Sequence, residues 1–421
     1  MRGAVRRGAA VVAFVGIVGV LVEIALRVAP GALIPLRLLE RFEPSLRDGI
    51  ARELGLNTAS QTWILERDDG GPLLRLFKPH ATVSYDVGDG IRHSYAMDEL
   101  GFCNAARDAW SRAQIDVLAI GDSFTACLIG SPEATWPSQL GQLLGLSTYN
   151  FGLSGIGPYE YVQILRRFGL SKHPRVVVMH LYEGNDLRDA LFVQAARGAP
   201  RPVALGGAER YDLAPVLDHP LGRNSRAVDL AVVWTARALE GLRPLRSAAA
   251  AAVDFRYELR LGERVFAFNP QNTDQDEVRH ARALQLGAVS LAVFDEPLER
   301  FAAMAREHGF VPIVSYAPSA HTVYAPFVHF ADPALAELMP WFSAAQRRHL
   351  AERAGALGLV WVDQTPAFQA AARERQGRDL LYEATALHCS VSGHRLSAEI
   401  LAQVIRGLGL VAASPADAAT P

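Results

Sequence analysis

Five short apolar runs, each associated with a helix-length segment, constrain the fold of this chain more than any other feature. The runs are residues 116–120, 148–151, 176–181, 311–316 and 359–362, and the helix-like segments are 135–144, 159–168, 288–308, 343–356 and 392–408. Continuous apolar runs are the signature of strands buried on both faces, and strand–helix alternation calls for crossover connections. The pattern predicts an α/β fold, a three-layer sandwich with a central parallel sheet of about five strands. In such a fold, chemistry gathers at the C-terminal strand ends.

The alternating region spans residues 113–411 and is expected to form one domain. It is interrupted at 187–287, a stretch too long for an ordinary loop. That stretch contains the alanine run Ala248–Ala252 and a candidate hairpin around Leu261-Gly262-Glu263. It reads as an insertion packed over the sheet edge or the site. Residues 29–112 form an extension with turn signals at Pro79, Gly88 and Gly90 and a candidate strand at 81–85. Residues 412–421 are expected to be disordered.

The N-terminal residues 1–28 have a different character. Arg2, Arg6 and Arg7 precede an apolar run from Gly8 to Val22, and Ile24-Ala25-Leu26 continue it past Glu23. This approaches the ~20 residues needed to span a bilayer. The basic flank predicts an uncleaved single-pass anchor, with the rest of the chain on the periplasmic or extracellular side. A cleaved signal peptide and a buried helix are the alternatives. Over the whole chain 42 basic and 44 acidic residues nearly balance, and no basic block after the N-terminus argues for nucleic acid. Three cysteines leave at least one unpaired in a monomer. No metal-ligand spacing is present, and no cofactor is implied.

Four blocks carry the chemistry. The run Val117–Ile120 ends in Gly121-Asp122-Ser123, followed by a helix-compatible segment. Ser123 is a candidate nucleophile near a helix N-terminus, whose N–H groups favour developing negative charge. Asn150-Phe151-Gly152-Leu153-Ser154-Gly155 follows the second run and offers glycine N–H groups without an obstructing Cβ. Glu183-Gly184-Asn185-Asp186 follows the third, and the Asn185 amide can donate to an oxyanion. His388, in His388-Cys389-Ser390-Val391-Ser392-Gly393-His394, is the candidate base.

With these residues in this order, the chain resembles the SGNH (GDSL-like) hydrolases, whose hallmark Ser, Gly, Asn and His match Ser123, Gly155, Asn185 and His388. Gly155 matches the family's oxyanion glycine better than Gly152, and Gly393-His394 fit the spacing after the family histidine. Glu99-Leu100-Gly101-Phe102 and Ala134-Thr135-Trp136-Pro137 resemble features of a membrane-anchored bacterial branch. The resemblance implies an SGNH/flavodoxin-like sheet and a serine esterase or O-acyltransferase acting on acyl esters. Acetyl esters of cell-envelope carbohydrate are the substrates it suggests. Its oxyanion hole would comprise the Ser123 N–H, the Gly155 N–H and the Asn185 side chain.

The family aspartate two or three residues before the histidine is missing, because Thr385 and Ala386 stand there. Three readings stay open. A backbone carbonyl can orient His388, Glu383 can reach in as the orienting acid, or the domain is a catalytically inactive binding module in envelope polysaccharide assembly. A disulfide between Cys127 and Cys389 would tie the histidine loop to the nucleophile segment, and small buried thiols are the alternative.

Overall fold

A computed structural model describes residue 14 and residues 16–25, 63–67, 73–86, 92–106, 108–196 and 253–411. The chain divides into two compact units, residues 1–67 with 206–251 and residues 68–205 with 252–421. In the first unit, residues 16–25 are helical and expose Ile17, Val18, Val20, Leu21 and Ile24. Among the described residues no helix is long and apolar enough to cross a membrane. The transmembrane helix expected over residues 1–28 is therefore not found there, and much of that segment lies outside the described residues. So do the tail at 412–421 and the alanine run Ala248–Ala252.

The second unit is built on five parallel strands. These are β1 (Val117–Gly121), β2 (Thr148–Asn150), β3 (Val176–Tyr182), β6 (Val311–Ala317) and β8 (Val360–Asp363), in spatial order β8-β6-β3-β1-β2. Each matches an expected run within a residue or two. Every residue of β1 and β3 is buried, as a strand covered on both faces requires. Alternate side chains point to opposite faces. Val117, Ala119, Val176, Val178, Ile313 and Val362 pack with helices α1 (Trp136–Leu144) and α9 (Val391–Gly407). Helix α2 (Pro158–Arg167) packs against β1, and α5 (Asp295–His308) packs against both α2 and β6.

The segment expected to be an insertion supplies two helices and a two-stranded hairpin among the described residues. Helix α3 (Asp186–Ala196) follows β3 directly. The hairpin β4 (Tyr257–Leu261) and β5 (Arg264–Phe268) turns at Gly262, whose φ of 63° suits a glycine. It joins β7 (Val328–Phe330) in a three-stranded antiparallel sheet. Helix α4 (Gln275–Gln285) follows. The expected helix at 343–356 is longer, Leu335–Leu357 (α7), and runs through Pro340. Helix α8 (Thr365–Arg375) has no counterpart among the expected helices.

The extension braces the turn that carries Ser123. A hairpin pairs Thr82–Asp86 with Arg92–Ala96, and Tyr95 Oη donates to the Leu128 carbonyl at 3.0 Å. The buried Asp98 carboxylate accepts from the Leu100 and Phe102 N–H groups, Asn104 Nδ2 and Tyr149 Oη. Asn104 in turn accepts from the Asn150 N–H at 2.8 Å. Cys103 and Cys127 form a disulfide, and Cys389 is a buried free thiol. The link considered between Cys127 and Cys389 is thus overturned, since Cys127 faces the extension rather than the histidine loop. Closing a loop over a sequence separation of 24 residues stabilises by roughly 3 kcal/mol in the chain-entropy account. Replacing both Cys103 and Cys127 with serine should lower the unfolding free energy by about that amount in urea melts. Superimposable melts would show that the bridge contributes nothing.

Candidate active site

The four blocks converge at the C-terminal edge of the sheet. Ser123, Gly155, Asn185 and His388 line one cleft of about 120 Å³. Ser123 Oγ lies 2.9 Å from His388 Nε2. The other ring nitrogen, Nδ1, lies 2.5 Å from the Ala386 carbonyl oxygen. A carbonyl only accepts, so Nδ1 carries the proton and Nε2 is left to accept from the serine hydroxyl.

The histidine loop is shaped to present that carbonyl. Tyr382 and Cys389 bridge across its base, the Glu383 N–H donates to the His388 carbonyl, and the Leu387 N–H donates to the Glu383 carbonyl. Leu387 takes a φ of 57°, a left-handed conformation that is uncommon for a residue with a Cβ. The contact of Nδ1 with the Ala386 carbonyl favours the reading in which a backbone carbonyl orients the ring. Phe124 stacks on the imidazole with ring centroids 4.8 Å apart and on Tyr182 at 3.5 Å. Burial lowers the His388 pKa from 6.5, opposed by the Ala386 carbonyl and by the charge of Asp274.

The expected helix after Ser123 is absent. Residues 122–130 form turns, with the Thr125 and Ala126 N–H groups both donating to the Asp122 carbonyl. Ser123 thus gains nothing from a helix dipole, and its geometry is set by side chains instead. Buried Asp122 accepts from the Phe124 N–H at 2.8 Å and lies 3.4 Å from Ser123 Oγ, whose one proton goes to the nearer Nε2. Asn150 Nδ2 donates to the Thr125 carbonyl while its Oδ1 accepts from the Gly152 N–H, both at 2.8 Å. A Cβ on Gly152 would lie 2.4 Å from the Ala126 nitrogen, so Gly152 is a packing glycine. Gly155, with φ 75°, is the one that faces the cleft.

Asn185 Nδ2 donates to Asp189 Oδ2 at 2.8 Å, and its amide also hydrogen-bonds Asp122. Asp189 also binds Arg188 through both oxygens, at 2.8 and 3.1 Å. Asp186 is buried, accepting from Tyr161 Oη and the Tyr182 N–H, and burial together with the Asp122 charge raises its pKa. His394 packs behind the site and accepts from the Trp136 N–H, and burial lowers its pKa to about 4. Asp363 pairs with Arg347 and accepts from the Thr365 N–H, a structural role.

The insertion forms the opposite wall through Asp274, Asp276 and Glu277. None of these carries a sequence motif. A Cβ on Gly184 would lie 2.1 Å from Glu277 Oε1 and 2.5 Å from Tyr182 Cε1, so the glycine of the third block leaves room for this carboxyl. Burial pushes the Glu277 pKa up to about 8. The folded state therefore holds this proton more tightly than the unfolded chain, and the stability it contributes is present at low pH and lost between about pH 4.5 and 8. Glu277→Gln, which cannot ionise, should flatten the decline in melting temperature over that window. An unaltered decline would contradict it. Among the described residues no group of three or more His, Cys, Asp or Glu side chains is placed to hold a metal ion.

No protein-family model matches this sequence, and no curated protein is similar to it at a significant level. Solved structures do align with it. One is a protein of the G-D-S-L family from Desulfitobacterium hafniense DCB-2, 14% identical, covering 69% of this chain and 99% of that one with a TM-score of 0.35. Another is an acetylxylan esterase from Geobacillus stearothermophilus, 14% identical, covering 70% and 94% with a TM-score of 0.34. A third is a lipase/acylhydrolase from Enterococcus faecalis, 13% identical, covering 70% and 97% with a TM-score of 0.33.

Proposed function

We propose that this protein is a serine esterase or O-acyltransferase of the SGNH type. The observation that carries the reading is the Ser123 Oγ–His388 Nε2 contact at 2.9 Å, with Nδ1 held by the Ala386 carbonyl. Ser123 Oγ attacks the acyl carbonyl carbon as its proton passes to Nε2. The Ser123 N–H, the Gly155 N–H and the Asn185 amide hold the oxyanion, Asn185 giving up its bond to Asp122. The imidazolium then returns the proton to the leaving alcohol oxygen, and water or a sugar hydroxyl takes the acyl group by the reverse steps.

A carbonyl orients the ring but carries no full charge. It selects the tautomer as an aspartate would, while stabilising the imidazolium less. That supports turnover below that of a full triad and weighs against the reading of an inert binding module, because an abandoned site has no need of a strained loop that aims a carbonyl at Nδ1.

Small acyl groups, acetyl above all, on envelope carbohydrate are the substrate class proposed, in keeping with the resemblance to SGNH hydrolases. A single-pass inner-membrane anchor with the second unit in the periplasm completes the reading. Two features support it: the Arg-flanked N-terminal run, and a disulfide, which persists in oxidising compartments.

The test is steady-state hydrolysis of p-nitrophenyl acetate across pH. The lowered His388 pKa places the acid limb of kcat/KM below pH 6.5. No turnover at any pH by folded protein would sink the proposal.

A further inference from the structure

We propose that Asp274 is a positioning residue that supplies, from the insertion, the negative charge that the histidine loop lacks. The proposal rests on the reading of Ser123 and His388 as nucleophile and base. A triad acid does two things: it orients the imidazole, and it stabilises the imidazolium formed in the transition state. The Ala386 carbonyl performs the first. Asp274 performs the second across the cleft, without touching the reacting atoms.

The placement of Asp274 is built by its loop. Asp274 lines the same cleft as Ser123 and His388. The Asn269 N–H donates to the Ala384 carbonyl at 2.9 Å, which docks the 269–274 loop onto the histidine loop. Asn269 Oδ1 accepts from the Thr273 N–H and hydroxyl, and its Nδ2 donates to the Thr273 carbonyl. Asn272 is fastened to Val253 and Phe255. These bonds hold Asn269, Asn272 and Asp274 at φ values of 52°, 54° and 54°, left-handed conformations that cost energy outside glycine.

The side chain of Asp274 is not spent on its helix, and the Thr273 hydroxyl, 3.3 Å from its Oδ2, is a neutral partner that leaves the charge in place. Asp274 occupies the N-cap of α4 without making a cap hydrogen bond, although an aspartate there usually does. The other charged groups around the cleft are committed elsewhere. Arg188 is held by Asp189, Asp276 by Arg279 at 2.8 Å, and Asp122 lies beneath the serine. Glu277 is buried with its pKa raised, and His394 behind the ring has its pKa lowered by burial, so both favour the neutral form at neutral pH. Asp274 is exposed and raises the affinity of His388 for its proton.

The experiment is a titration of His388 by NMR in the full-length chain in detergent micelles with labelled histidine. Its resonance is assigned by its loss in His388→Ala. Asp274→Asn should lower the His388 pKa by about half a unit at low ionic strength. Because Asp274 is solvated, roughly 0.5 M salt should largely erase that difference. The plateau rate of fluorophosphonate labelling should fall about threefold while its acid limb moves to lower pH, a pairing that a merely structural defect does not produce. Glu258→Gln, on the exposed hairpin, should move neither. An unmoved His388 pKa in a protein that still labels would overturn the role of Asp274 alone. A shifted pKa in a wild-type protein that does not label would overturn the reading of the site, and the role of Asp274 with it.

Discussion

Replacing Ser123 or His388 with alanine should each lower kcat/KM for an acyl ester by about a thousandfold or more, and the double variant should be hardly worse than either single one. The two side chains share one hydrogen bond, so removing either removes the same proton transfer. Without His388 the serine hydroxyl has no base within reach. Asp122, at 3.4 Å from Oγ, is no substitute, because its oxygens already serve the Phe124 N–H and Asn185. Asn185→Ala removes one oxyanion donor and should cost about a hundredfold, mostly in kcat. Additive losses in the double variant would mean that Ser123 and His388 do not act as a unit. Steady-state kinetics on purified, folded variants make the comparison.

Gly152→Ala and Gly155→Ala should separate a packing glycine from a cleft glycine. At Gly152 the added methyl meets the Thr125 carbonyl carbon at 2.5 Å and the Ala126 nitrogen at 2.4 Å, both backbone atoms of the nucleophile turn. Backbone cannot rotate aside, so the turn must shift, at a cost of about 2–4 kcal/mol in stability. The shift also moves Ser123, and activity falls with it, since a displacement of about 1 Å can cost a hundredfold. At Gly155 the backbone has a φ of 75° and faces the cleft. Alanine there should cost only about 1 kcal/mol of stability. It should still reduce kcat by crowding the oxyanion position. Equal melting temperatures for the two variants, read by circular dichroism, would contradict this division.

The sheet was legible because its strands are buried on both faces, which forces continuous Val- and Ile-rich runs such as Val176–Leu181. The chemistry at the ends of β1, β2 and β3 was legible for the same reason, since a parallel sheet delivers successive strand ends to one edge. What lay beyond reach was long-range. Ala386 acts through its carbonyl, an atom every residue has, so no side-chain pattern marks it. Leu387, in its left-handed conformation, looks like any core leucine. The partner of Cys127 could not be chosen among the three cysteines by counting. The expected helix after Ser123 failed because Asp122 and Asn150 capture the turn with side-chain bonds that a local pattern does not reveal. Asp274 and Glu277 reach the cleft only because the insertion folds back over it.

The most direct test of the central claim is covalent labelling by a fluorophosphonate, read as intact mass. A serine activated by a carbonyl-held imidazole predicts one adduct on wild type, mapped to Ser123, and none on Ser123→Ala or His388→Ala. A folded wild-type protein that takes no adduct, or one that labels equally without His388, would contradict it.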